Sequence, residues 1–190
     1  MDYSQAPLSE HLAKIILPEA EIMRRVGELA GQITASYQAQ SAADLVVVGI
    51  LRGAVVFMSD LIRRLPLPLT IDFMAISSYG GSTESSGAVR ILKDISESIE
   101  GKHVLVVEDI VDTGLTLQNL LDVLKARKPL SLAVCALLNK PSRRKAKVAV
   151  DYCGFEIPDE FVVGYGLDFA GHYRHLPYIG VLKPEIYEVT

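Results

Sequence analysis

Cysteine is scarce in this chain: Cys135 and Cys153 are the only two in 190 residues. They show no zinc-ligand spacing and imply no disulfide framework. Cys135 falls inside an apolar strand pattern, so a buried thiol is expected there. The four histidines form neither a metal set nor a catalytic set. His172 and His175, three apart in a loop-like segment, are expected on the surface. No apolar run approaches the roughly 18 residues of a membrane span. The start, MDYSQAPLSEHLAK, has no basic stretch leading into an apolar one, so no secretory signal is expected. Neither a P-loop nor a G-x-G-x-x-G turn occurs, and there is no repeat, low-complexity tract or linker. A net charge of −4 argues against a protein built mainly for nucleic acid. Taken together, these absences lead to the expectation of a cytoplasmic protein with no membrane and no nucleic-acid partner.

What is present suits one globular domain spanning 1–190. Apolar residues make up 49% and charged residues 22%, and a chain of this size buries about 70% of its unfolded surface without a staple. Pro18 stands where a first helical residue belongs, with Glu19 and Glu21 in the first turn. Ile22, Val26, Leu29, Ile33 and Tyr37 then recur at helical spacing. Lys14–Leu17 is a short apolar run. Strands are expected at 44–50, 70–76, 103–107 and 132–138, with short ones at 147–151, 161–164 and 178–182. Helices are expected at 54–65 and 115–127. Nearly continuous apolar strands alternating with helices predict a parallel sheet covered on both faces. The stretch SSYGGSTESSG, Ser77–Gly87, is too polar to fix itself and reads as a mobile loop. In such folds ligands sit beyond the carboxyl ends of the strands.

The richest segment is VLVVEDIVDTGLT, Val104–Thr116. An apolar strand reaches an acidic edge, Glu108-Asp109, and then a turn, Asp112-Thr113-Gly114-Leu115-Thr116, that opens a helix. Outward backbone N–H groups, two threonine hydroxyls and a glycine that allows close approach suit a phosphate monoester at the positive helix end. Two carboxylates would repel a bare phosphate. They suit sugar hydroxyls and a metal-bound diphosphate, and a ligand carrying all three groups is phosphoribosyl diphosphate. The plain alternative for Asp112 is a helix N-cap.

EDIVDTGLT resembles the hypoxanthine-guanine group of the type I phosphoribosyltransferases, and the likeness runs collinearly from about Lys14 to Glu188. The resemblance implies a parallel-sheet core, at about 40–140, with a small hood from about 1–20 and 145–190. It implies transfer of a phosphoribosyl group to N9 of hypoxanthine or guanine, with Mg²⁺ as cofactor and a homodimer or homotetramer as the assembly. By the match, Glu108 and Asp109 hold the ribose, Thr113, Gly114, Leu115 and Thr116 the 5′-phosphate, and Asp112 is the general base at purine N7. Leu51-Arg52-Gly53 resembles the family's Leu-Lys-Gly diphosphate turn with its cis peptide. Arg52 departs from the family's lysine and keeps only its charge. Ser78 and Tyr79 would open the catalytic loop, and Arg174 would meet diphosphate. Lys140 would donate to the purine O6, Phe161 would stack on the base, and Val162 would contact its edge. Asp168 completes the purine side and, with Glu108 and Asp109, the metal carboxylates. Arg143, Arg144, Lys145 and Lys147 read as a solvated basic turn. Two rival readings are a xanthine-preferring transferase and a ligand-sensing regulator that binds nucleic acid on the same fold.

Overall fold

The computed structural model describes residues 8–39, 44–78 and 89–188. Strand β1 (Leu12–Leu17) leads through Pro18 into helix α1 (Glu19–Ala39). The Pro18 carbonyl accepts the N–H groups of Glu21 and Ile22 at 3.0 and 3.1 Å and so closes the first turn. Strand β2 (Leu45–Leu51), helix α2 (Val55–Ile62) and strand β3 (Leu69–Ser78) follow. Then come β4 (Val89–Lys93), β5 (His103–Val111), α3 (Leu115–Lys125) and β6 (Ser131–Asn139). The chain ends with β7 (Tyr152–Glu156), β8 (Val162–Val163), β9 (Ile179–Leu182) and the single turn α4 (Pro184–Tyr187).

Six strands form one sheet in the order β4-β3-β2-β5-β6-β7. Every pairing in it is parallel except that of β4 with β3. The central strands are apolar on both sides because both sides are covered. Val47, Leu105 and Val107 face the α1–α2 core with Ile22, Val26, Leu29, Phe57 and Leu61. Val46, Val48, Val104 and Val106 face the α3 core with Leu117, Leu120 and Leu124. The period-two alternation of β2 and β5 thus sorts neighbours to opposite layers. Burying each such aliphatic side chain contributes about 1.5–3 kcal/mol. A second sheet, β1-β9-β8, joins the two ends of the chain antiparallel. Its own small core holds Leu12, Val163, Tyr173, Leu176 and Leu182.

The parallel α/β expectation holds, with local corrections. The helix expected over 54–65 stops at Ile62. Arg64 and Leu65 close tight turns onto Leu61 and Ile62, and Pro66 disfavours helix in the residue before it. The strand expected over 147–151 is absent. Val148 and Val150 do pack against the α3 core, which gave the stretch its strand-like alternation. Val148 N–H bonds locally to the Ala146 carbonyl at 3.0 Å, Asp151 N–H reaches the Val134 carbonyl of β6 at 3.0 Å, and the ladder proper begins at Tyr152. Strand β4 was not expected. Its pairing with β3 runs Ile76 to Ile91 and Ser77 to Arg90, so Ser77 and Ser78 belong to a strand. Tyr79 and the remainder of the expected loop lie outside the described residues. Cys135 is buried, and His172 and His175 are exposed.

Candidate active site

A cleft opens at the carboxyl ends of β2, β3 and β5. Ile50, Ile76, Glu108, Ile110 and Asp112 line it, together with the Thr113–Leu117 turn except Leu115. The acidic pair is not at the strand's edge as expected. β5 runs on through Val111, with Glu108 opposite Ala136 of β6 and Ile110 opposite Leu138. Adjacent strand positions point opposite ways. Glu108 therefore faces the cleft, and Asp109 turns back toward the β2–α2 turn. A Cβ built on Gly53 would overlap the Asp109 carboxylate, so only glycine fits beneath it. The Leu51–Arg52 peptide in this turn is cis, and the Arg52 side chain is exposed.

Burial dominates the electrostatics of the acidic pair. It pushes the Glu108 carboxyl well above the ordinary carboxylate range, and the Asp109 charge adds to this. Asp109 is pushed up to about 6, chiefly by burial, against the lowering effect of the Ile110 N–H and of Arg174, while Asp168 raises it further. Asp168 itself pairs with Arg174 at 2.5 Å and accepts the Gly171 N–H at 2.7 Å. Arg174 also donates to the Gly166 carbonyl at 2.6 Å. Asp109, Asp168 and Arg174 thus share one electrostatic neighbourhood on the side of the Gly53 turn. Among the described residues no three histidine, cysteine or acidic side chains converge as a metal cluster.

Beyond β5 the turn is shaped for an anion. Gly114 caps α3 in the left-handed region, φ 79°, with no side-chain cap bond. The first N–H groups of a helix have no carbonyl partner within it. Thr113 Oγ1 sits 3.4 Å from the Leu115 N–H, and Thr116 is exposed at the rim. Asp112 is not the cap. Its Oδ1 lies 3.0 Å from Arg143 Nε as an ion pair.

The residues expected to meet the purine come from the end of β6 and from the hood. Lys140 is 6% exposed. Its ammonium donates to the Glu160 carbonyl at 2.7 Å and lies 3.7 Å from Asp159. Phe161 is 39% exposed, just before β8, and Val162 is buried within it. The Phe161 ring stacks on Tyr187 at 4.8 Å between centroids and meets Phe169 edge-on at 5.8 Å.

The basic turn after β6 is not simply solvated. Arg143 is half-exposed but bridges Asp112 and, at 3.1 Å, Asp159. Arg144 is half-buried, hydrogen bonds the Asn139 side chain, and packs beside Gly114. Sequence reasoning missed both roles, and also missed Ile110, Glu160 and Tyr187. A signal for the arginines existed: like Lys140, they directly follow a parallel strand's carboxyl end, where functional loops gather.

A phosphoribosyl transferase domain model matches residues 13–170. The chain is 53% identical over 171 residues to the hypoxanthine phosphoribosyltransferase of Escherichia coli (strain K12), covering 90% of this chain and 96% of that one. It is 49% identical over 181 residues to the hypoxanthine-guanine phosphoribosyltransferase of Bacillus subtilis (strain 168), covering 95% and 99%. The crystal structure of a hypoxanthine phosphoribosyltransferase from Staphylococcus aureus superposes with a TM-score of 0.92 at 50% identity, over 97% of this chain and 98% of that one. With its parallel sheet, its anion-shaped turn after β5 and relatives that match it almost end to end, the chain belongs to the phosphoribosyl transferase family, in its hypoxanthine(-guanine) branch.

Proposed function

We propose that this chain is a purine-salvage enzyme that transfers the 5-phosphoribosyl group from phosphoribosyl diphosphate to N9 of hypoxanthine, and of guanine, releasing diphosphate. One observation carries the reading: a single cleft joins Glu108, Asp112 and the Thr113–Thr116 turn at the carboxyl end of the sheet. The relatives named above all carry hypoxanthine(-guanine) names, which disfavours both the xanthine-preferring and the nucleic-acid-binding alternatives. The enzyme works as a single domain with its core at about 40–140 and a hood from both chain ends. A cytoplasmic location and a homodimer or homotetramer belong to the same proposal.

In this reading the 5′-phosphate rests on the turn formed by Thr113, Gly114, Leu115 and Thr116, where backbone N–H groups, hydroxyls and the helix dipole favour it. Glu108 accepts ribose hydroxyls from the cleft side, and Asp109 acts from the Gly53 side. Remote binding energy then orients the anomeric carbon. The N9–C1′ bond forms as the bond from C1′ to the diphosphate oxygen breaks, and the N7 proton passes to Asp112. Lys140 donates to O6. A purine bearing an amino group there would leave that buried ammonium facing another donor, which rejects adenine. Phe161 stacks on the base, Val162 contacts its edge through the backbone, and Asp168 borders the same side. Arg52, Gly53 and Arg174 face the diphosphate.

Magnesium fits these donors. They are carboxylate oxygens, and Asp168 stands close enough to Asp109 to add to the burial that lifts its pKa. Mg²⁺ prefers one or two carboxylates together with substrate oxygens. Held there, it would neutralise the departing diphosphate.

Nucleotide formation with phosphoribosyl diphosphate and Mg²⁺ tests the reading across hypoxanthine, guanine, xanthine, adenine and uracil. Turnover of hypoxanthine without adenine is expected. Tight phosphoribosyl diphosphate binding with no turnover of any base would overturn it. Asp112→Asn should lower turnover by roughly a hundredfold or more while phosphoribosyl diphosphate binds nearly as before. Near-normal turnover would remove the general-base role.

A further inference from the structure

Arg143 belongs to a turn that the sequence pattern assigns to solvent, yet its guanidinium is shared between two carboxylates. Nε faces Asp112 Oδ1 at 3.0 Å, and Nη1 donates to Asp159 Oδ1 at 3.1 Å. The Asp112 side chain keeps 40% of its surface accessible, but its Oδ1 is enclosed and has no aligned hydrogen bond beyond that ion pair. The open part of this carboxylate is therefore Oδ2. A general base has to present one oxygen to a nitrogen of the purine ring, at hydrogen-bond distance and in a fixed direction. A free aspartate on a loop rotates about its side-chain torsions, and a cation fixed on one oxygen removes that freedom.

The second partner ties this pair to base recognition. Asp159 directly precedes Glu160, whose carbonyl holds the Lys140 ammonium, and Phe161. The backbone of the same turn also grips the Asp112 loop. The Lys140 N–H donates to the Val111 carbonyl at 2.9 Å, and the Lys145 and Ala146 N–H groups donate to the Thr113 carbonyl at 2.9 and 3.1 Å.

We propose that Arg143 is a positioning residue: it fixes Asp112 through Oδ1 so that Oδ2 faces purine N7, and through Asp159 it couples this to the segment that reads the base. The inference rests on the reading of Asp112 as the general base. Because Arg143 is half-exposed, its loss leaves the core intact.

The test is a double-mutant cycle on hypoxanthine turnover with the full-length enzyme, using Arg143→Gln, Arg143→Lys, Asp112→Asn and Asp112→Asn/Arg143→Gln. Melting temperature and phosphoribosyl diphosphate affinity are read on each variant. Arg143→Gln is expected to lower kcat by about tenfold, the scale of a misoriented catalytic group, with phosphoribosyl diphosphate affinity unchanged. Arg143→Lys should recover part of the loss. In the Asp112→Asn background the Arg143→Gln effect should vanish, because both changes remove the same function. Multiplying effects, or normal kcat in Arg143→Gln while Asp112→Asn is impaired, would overturn the proposal. Near-normal turnover in Asp112→Asn would overturn the general-base reading instead, and the positioning role with it. Should Arg143→Gln melt early, Asp159→Asn carries the test, with a smaller kcat loss that is likewise absent in Asp112→Asn. A loss that persists there would again overturn it.

Discussion

The carboxylates of β5 and those of the loops and hood around it carry negative charge in opposite ways. On the β5 ridge Glu108 and Asp109 are buried, and burial drives both pKa values upward. On the Asp112 loop and in the hood each of these carboxylates meets a cation: Asp112 and Asp159 share Arg143, Asp159 also approaches Lys140, and Asp168, next to Asp109, pairs with Arg174. A buried carboxylate without compensation destabilises the fold, whereas a paired one is preorganised. In the proposed function the ridge would be completed from outside, by sugar hydroxyls and a metal, whereas the carboxylates of the Asp112 loop and the hood are paired within the chain.

The largest effect that would break this comparison lies at Gly53. Gly53→Ala forces a methyl into the Asp109 carboxylate. It should lower kcat/KM by roughly a hundredfold or more through displacement of the ridge, together with a lower melting temperature. Kinetics and calorimetry on one preparation would decide it, and an alanine variant with normal kinetics would show that Asp109 yields freely.

On the paired side, Lys140→Ala should reduce kcat/KM for hypoxanthine on the order of a hundredfold and narrow the discrimination against adenine. Competition between the two bases measures this. An unchanged ratio would detach Lys140 from O6.

The smallest change sharpens the contrast most. Glu108→Gln should raise the ligand-free melting temperature at pH 8 while weakening phosphoribosyl diphosphate binding. The unfolded glutamate ionises near pH 4.3, and the folded one holds its proton to higher pH. Stability is therefore present below about pH 4 and is lost as pH rises through the folded value. The advantage of glutamine should disappear at pH 4. Each kcal/mol recovered corresponds to about 2–4 °C for a chain of this size. A glutamine variant that melts lower at pH 8 would mean that the ridge is compensated after all.

The fold was legible because its periodicities are strong. Ile22, Val26, Leu29, Ile33 and Tyr37 are all buried on α1 as their spacing predicts. β4 escaped because its five residues, VRILK, place two basic side chains among three apolar ones and follow a polar stretch. The stretch 147–151 misled because Val148 and Val150 alternate for packing without a ladder. The candidate residues after the β2, β5 and β6 runs were marked by their place at strand ends, and their expected roles came from the family resemblance. The sequence could not reveal that the β5 ladder continues past Val107 and splits Glu108 from Asp109 onto opposite faces. Nor could it pair Arg143 with Asp112 and Asp159, at 31 and 16 residues' remove.

By itself, then, the order of residues determined the layers, the parallel sheet and the strand ends at which chemistry gathers, because local periodicity and turn chemistry act over a few neighbouring residues. Only the tertiary structure decided which carboxylates form ion pairs and which are buried without one. Pairing and burial depend on residues far apart in the chain and on how much water their packing excludes.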